Sequence, residues 1–193
     1  MSFDYTLQVD RIDYGFIKGN SKIVFIKTGL GGSCFGYGNK YLKMARQIKD
    51  NYDCSVIVAS NPNDNKNHID ADRKIIEQYI SDNNIQSVEL FFFGHSNGCI
   101  KGLELADSGL KFIKMILVNM PLMINFHKTK RYISKIPDTD IVAVYGELDP
   151  SYSYIPFLQG KFENVEVTSV PKADHNFKCF SVKFMNLINL LLP

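Results

Sequence analysis

Apolar positions along the chain switch between two periods in a regular order. Tyr5–Val9 and Ile12–Ile17 are short alternating segments separated by polar residues, which predicts an antiparallel hairpin at a sheet edge. Lys22–Thr28 is a denser apolar run that passes at once into Gly29, Gly31 and Gly32, a strand entering a glycine turn. Tyr37–Asp50 then places Tyr41, Met44, Ala45 and Ile48 at helical spacing. The alternation repeats. Cys54–Ala59 is continuous and apolar, as a buried parallel strand requires. Ser60–Asn67 is a loop by composition, and Ile69, Ile76 and Ile80 mark one face of a helix over Ile69–Ile80. Val88–Phe93 and Gly98–Ala106 are the next strand and helix, and Phe112–Val118, Ile141–Tyr145 and Val165–Val170 are three further strands. Near the C-terminus, Phe177, Phe180, Phe184, Leu187, Ile188 and Leu191 predict an amphipathic helix packed on the sheet.

Strands alternating with helices predict an α/β domain, doubly wound, with a mostly parallel central sheet and helices on both faces. At 193 residues the chain suits one domain over residues 1–193, without internal repeat or linker. Its composition, 45% hydrophobic and 22% charged, is that of an ordinary globular protein. The net charge of +2 is near balance, and the tightest basic group (Lys128, Lys130, Arg131, Lys135) is too short for a nucleic-acid stripe. No apolar stretch approaches the roughly 20 residues of a membrane helix. The first residues lack the basic and apolar regions of a secretory signal. Cys34, Cys54, Cys99 and Cys179 are far apart and read as reduced thiols rather than a disulfide framework. A cytoplasmic chain with neither membrane nor nucleic-acid partners is expected.

Chemistry enters at Val88–Ala106, where an apolar strand ends in Gly94-His95-Ser96-Asn97-Gly98 and a helix follows directly. G-x-S-x-G between strand and helix is a nucleophile elbow. The turn is sharp enough to strain the serine, and glycines two positions either side let strand and helix approach. The Ser96 hydroxyl is thereby presented above the carboxyl end of the sheet. In this architecture an acid and then a histidine follow, each just after a strand. Asp149 lies in Gly146-Glu147-Leu148-Asp149-Pro150 after Ile141–Tyr145, with Glu147 as its rival. His175 follows Val165–Val170 and is the sole histidine in the last third of the chain. Acyl transfer also needs backbone N–H donors aimed at the developing oxyanion. The Asn97 N–H is one candidate; the other comes from the turn after Thr28, with Leu30 favoured and Gly31 as alternative. That turn does not match G-x-G-x-x-G in register, and no P-loop Lys-Ser/Thr follows, so nucleotide binding is not expected.

With these residues in place the sequence resembles the α/β-hydrolase superfamily. The resemblance runs from the strand before Thr28-Gly29-Leu30-Gly31-Gly32-Ser33 through the elbow and Tyr145–Pro150 to Ala173–Phe177. It implies Ser96 as nucleophile, Asp149 as acid, His175 as base, and Leu30 and Asn97 as oxyanion donors. Many members begin the oxyanion turn with His-Gly, where this chain has Thr28-Gly29. The region where members often insert a helical cap is short here, leaving at most a remnant around residues 121–138.

The expected activity is hydrolysis of a small carboxylic ester or thioester through an acyl-enzyme on Ser96. The alternatives are an acyltransferase or cofactor-free perhydrolase with the same triad, or a catalytically silent binding protein. Neither organic cofactor nor metal is needed, and no ligand cluster has metal spacing. For the acyl pocket, Leu30, Gly31, Phe35, Met120, Leu122 and Met123 are candidates, because they follow strands that end near the site.

Overall fold

In the computed structural model, described over residues 1–64 and 66–192, the strands are β1 (Tyr5–Val9), β2 (Ile12–Ile17), β3 (Lys22–Lys27), β4 (Ser55–Ala59), β5 (Glu89–His95), β6 (Lys114–Val118), β7 (Asp140–Gly146) and β8 (Val165–Val170). They form one sheet in the order β1-β2-β4-β3-β5-β6-β7-β8. β1 and β2 pair antiparallel, as the alternating pattern predicts, and Val9 faces Ile12 across a two-residue turn. Asp10 and Arg11 in that turn have φ of 49° and 69°, the left-handed pair that matches strand twist. β2 is antiparallel to β4, and every pair from β4 to β8 is parallel.

The period-2 geometry of the central strands divides the core in two. Ile23 and Phe25 of β3 join Ile57, Phe92, Met115 and Leu117 on one face. That face is covered by α2 (Ile69–Asp82), α3 (Asn97–Asp107) and α4 (Leu122–Ile133). Val24 and Ile26 join Val56, Val58, Phe93, Ile116 and Val118 on the other, under α1 (Lys40–Tyr52) and α5 (Ser181–Asn186). Because both faces are buried, β3 and β4 read as continuous apolar runs, whereas the residues of β1 are largely exposed at the edge.

The chain leaves β3 through α1 to β4 on one side, then returns through α2 to β5 on the other. The strand order therefore reverses between β3 and β5, and the crevice outside their carboxyl ends is where ligands of open α/β sheets bind. The glycine turn after β3 and Ser96 after β5 both lie there.

Three elements differ from the sequence pattern. The N-terminal turn of the first predicted helix is a separate 3₁₀ turn, Tyr37–Asn39, because Gly38 and Asn39 adopt left-handed φ of 60°. Positive φ at Phe177 and Cys179 likewise delays the last helix to Ser181, although Phe177, Phe184, Ile188 and Leu191 still reach the core. The segment that reads as a short connection after Met120 is α4, the crossover between β6 and β7, with Leu122, Thr129, Tyr132 and Ile133 buried. No described helix is long and apolar enough to cross a membrane. All four cysteines are free, with Cys179 exposed and the others buried.

Candidate active site

Ser96 joins β5 to α3 with φ 54° and ψ −126°, a conformation that costs a non-glycine residue about 1–3 kcal/mol. The glycines on either side allow that turn. A Cβ at Gly98 would lie 2.3 Å from the Lys27 carbonyl oxygen, and one at Gly94 would lie 2.9 Å from Cys99 Cα. The elbow is thus pressed between the end of β3 and the start of its own helix. The Ser96 N–H donates to the Val118 carbonyl at 2.8 Å, and its carbonyl accepts from the Cys99 N–H at 3.0 Å.

The three residues that the sequence singles out converge from three loops. His175 Nε2 is 2.8 Å from Ser96 Oγ, and His175 Nδ1 is 2.5 Å from Asp149 Oδ2. Asp149 is buried, and its Oδ1 accepts the Ser151 N–H at 2.7 Å. The rival acid has other contacts. Glu147 is exposed and accepts the Lys172 N–H at 3.1 Å, which pins the loop that leads to His175 rather than the imidazole.

Two residues absent from the sequence candidates fix the histidine loop. Asn119, in the left-handed region at φ 49°, follows β6 and accepts the Gly146 N–H at 2.8 Å through Oδ1. Its Nδ2 donates to the carbonyls of Asp174 and His175 at 3.2 and 2.9 Å. The His175 carbonyl also lies 2.8 Å from His95 Nε2. Burial, reinforced by the Lys40 charge, pushes the His95 pKa down to about 3. The ring is therefore neutral at pH 7; carrying its proton on Nε2, it donates to His175 and accepts from the Tyr41 hydroxyl at Nδ1, 3.3 Å away. A sequence signal existed for both: each is a polar residue at the carboxyl end of an apolar strand.

The glycine turn is organised by Asn61, another residue the sequence reading passed over. The Gly31 N–H donates to the Asn61 carbonyl at 2.7 Å, and the Asn61 N–H returns to Gly32 O at 3.0 Å. Asn61 Nδ2 reaches the Thr28 carbonyl at 3.1 Å and Asn97 Oδ1 at 3.2 Å, tying this turn to the elbow. Gly31 is thereby committed elsewhere. Among the described residues the Leu30 N–H has no acceptor, and the Asn97 N–H lies in the first turn of α3, where intrahelical partners are lacking.

Ser96 and His175 open into a cavity of about 910 Å³. Leu30 and Gly31 line it, together with Lys40, Tyr41, Phe177 and Phe184. The other apolar candidates lie elsewhere. Met120, beyond the left-handed Asn119 at the end of β6, and Leu122, the first residue of α4, are fully buried in the core where α4 packs on the sheet. Met123 faces a separate groove with Ile124, Phe126 and Phe157, and Phe35 packs on Phe3 with ring centroids 5.3 Å apart. Among the described residues no group of three or more His, Cys, Asp or Glu side chains could hold a metal ion.

No protein-family model matches the sequence, and no curated protein does either. Solved structures do match in shape. Est1E from Butyrivibrio proteoclasticus superposes with a TM-score of 0.73 over 96% of each chain at 10% identity. A dienelactone hydrolase from Anabaena variabilis gives 0.70 over 100% of this chain and 99% of its own, at 13% identity. An alpha-beta serine hydrolase homologue from Coxiella burnetii gives 0.69 over 97% and 96%, at 15% identity. The chain has the α/β-hydrolase fold.

Proposed function

We propose that this protein is a serine hydrolase that cleaves a small carboxylic ester or thioester through an acyl-enzyme on Ser96. One observation carries the reading: the unbroken hydrogen-bonded series from Ser96 Oγ through His175 to buried Asp149, opening onto a cavity beside two uncommitted N–H groups.

In the first step His175 Nε2 takes the Ser96 proton as Oγ bonds to the substrate carbonyl carbon. The carbonyl π electrons move to oxygen, and that oxyanion accepts from the Leu30 and Asn97 N–H groups. Collapse breaks the bond to the alcohol or thiol, which leaves with the proton from His175. A water then gives its proton to His175 and attacks the acyl carbon, releasing the acid and restoring Ser96. Asp149 keeps the imidazole proton on Nδ1 and stabilises the imidazolium that forms twice per cycle. Clamped by Asn119 and His95, the histidine loop keeps that ring in line with Oγ.

Labelling with a fluorophosphonate probe tests this directly. Wild type is expected to label and Ser96→Ala to remain unlabelled while folded. A folded wild-type protein that resists the probe would overturn the reading. A panel of p-nitrophenyl esters of rising chain length then reports the reach of the cavity, with short acyl chains preferred.

A further inference from the structure

The cavity that receives Ser96 is not uniformly apolar. Lys40 lines it beside Tyr41, Phe177 and Phe184, and its ammonium lies 4.3 Å from the Phe184 ring centroid and 5.0 Å from that of Tyr41. No carboxylate among the described residues forms an ion pair with it. Among the described residues, the one carboxylate lining the cavity, Asp174, instead accepts the N–H groups of Asn176 and Lys178 through Oδ1, at 3.1 and 2.8 Å.

Elementary stability rules disfavour a lysine in this place. It is the first residue of α1, where the helix dipole is already positive and an acidic residue would be favoured. It is half-buried, and that partial burial lowers its ammonium pKa. The aromatic faces of Phe184 and Tyr41 offset part of that cost, but among the described residues no carboxylate neutralises the charge, which leaves it open to an anion in the cavity. What such a group lacks is an anion.

From this placement we infer that Lys40 is a specificity determinant that binds a carboxylate on the substrate, so that the preferred ester or thioester is anionic. The inference rests on Ser96 being the nucleophile, since it takes the cavity as the substrate site. A carboxylate fits better than a phosphate. A single ammonium flanked by aromatic faces supplies one charge and no fork of further donors, and the rings suit a short methylene chain between the two ends of the substrate. The carboxylate could be carried by the acyl group or by the leaving alcohol, and the two place it on opposite sides of the scissile bond.

Matched substrates separate these cases. Mono-p-nitrophenyl glutarate and p-nitrophenyl valerate differ in the acyl end, and 3-carboxyphenyl butyrate and phenyl butyrate differ in the alcohol. In wild type one anionic ester of the two pairs is expected to exceed its neutral partner in kcat/KM by about 10- to 100-fold, the worth of one charge-assisted hydrogen bond. Lys40→Met should collapse that ratio toward one, and Lys40→Arg should keep most of it. Anionic and neutral esters turned over alike, or equal losses on both in Lys40→Met, would overturn the inference and leave the hydrolase reading intact. Binding of glutarate monoamide to Ser96→Ala, followed by calorimetry, needs no turnover. Binding lost in Ser96→Ala/Lys40→Met supports the anion subsite even if the probe never labels Ser96, whereas no binding speaks against it.

Discussion

His95, one residue before Ser96, holds the carbonyl of His175 at 2.8 Å from its Nε2, so the elbow itself positions the ring that contacts its serine. Residue 95 is one of the two variable members of the G-x-S-x-G turn, yet here it is buried between Tyr41, Phe184 and His175, with ring centroids 5.3 Å from Phe184 and 5.4 Å from His175. His95→Phe keeps a flat aromatic ring, slightly larger than imidazole, and removes the donor. On the proposed mechanism kcat should fall about tenfold with KM little changed, the cost of a loosened positioning contact. Steady-state kinetics on a p-nitrophenyl ester measures the split.

The same histidine makes stability depend on pH in a stated direction. Its folded pKa is pushed from 6.5 down to about 3 by burial, so below pH 6.5 the unfolded chain binds a proton that the folded chain refuses. Stability from the neutral ring is fully present above about pH 6.5 and is lost progressively as pH falls toward 3. Urea midpoints between pH 7 and 4 should decline, and His95→Phe should flatten that slope. An unchanged slope in the variant would contradict the burial account.

Asp149 and Glu147 are two residues apart, and on the proposed mechanism their different contacts give them different work. Asp149→Asn removes the charge beside His175 Nδ1 and favours the wrong tautomer, so kcat/KM should drop by about 10³- to 10⁴-fold. Glu147→Gln keeps an acceptor for the Lys172 N–H and should remain within about twofold of wild type, as exposed substitutions generally do. Rates of fluorophosphonate labelling should follow the same order.

How much of this could be read in the sequence depended on whether a feature was local. Strands β3 to β7 were legible because burial on both faces demands continuous apolar residues. The elbow was legible because Gly94 and Gly98 answer to contacts within one strand–turn–helix unit and its immediate neighbour. Ser96, Asp149 and His175, which the structure brings into contact, were picked out through chain order. The cavity wall was not legible: Lys40 and Tyr41 come from α1, on the far side of a different crossover, and no spacing links them to Ser96. Met120 and Leu122 misled for the same reason, since apolar residues at a strand end look alike whether they face the cavity or, as here, the core. The last helix reads long because its apolar positions stay in phase, while the left-handed residues Phe177 and Cys179 leave no such mark.

Gly98 and Gly31 should differ in how much alanine costs them, although both lie at the site. A methyl at Gly98 meets the carbonyl oxygens of Lys27 and Thr28 at 2.3 and 2.6 Å, and backbone cannot step aside cheaply. Gly98→Ala is expected to cost about 3 kcal/mol or more and to abolish labelling. Gly31 has φ 73° and open space around its missing side chain, so alanine costs only about 1–2 kcal/mol of backbone strain. Chemical denaturation of both variants compares the two costs.

Beneath the elbow, Lys27 and Asp72 form a fully buried ion pair, with side chains 1% and 0% exposed and Nζ 2.7 Å from Oδ2. The Tyr14 hydroxyl donates to the same carboxylate at 2.8 Å, so three polar groups meet across β2, β3 and α2, with Tyr14 and Lys27 both donating to Asp72 Oδ1. Desolvation opposes such a pair, and its loss is asymmetric: removing one partner strands a buried charge. Lys27→Met should therefore destabilise by about 3–5 kcal/mol. Adding Asp72→Leu removes the stranded carboxylate but leaves the Tyr14 hydroxyl without its acceptor, an orphan worth about 1–3 kcal/mol. Only the triple variant that includes Tyr14→Phe should return close to wild-type stability. Because the chain has no tryptophan, urea unfolding followed by far-UV circular dichroism is the suitable readout. Additive losses across the three sites would show that the groups act independently, against the coupled cluster described here. The Lys27 carbonyl borders Gly98, so folded variants that still label at Ser96 would separate the pair's contribution to stability from the geometry of the elbow.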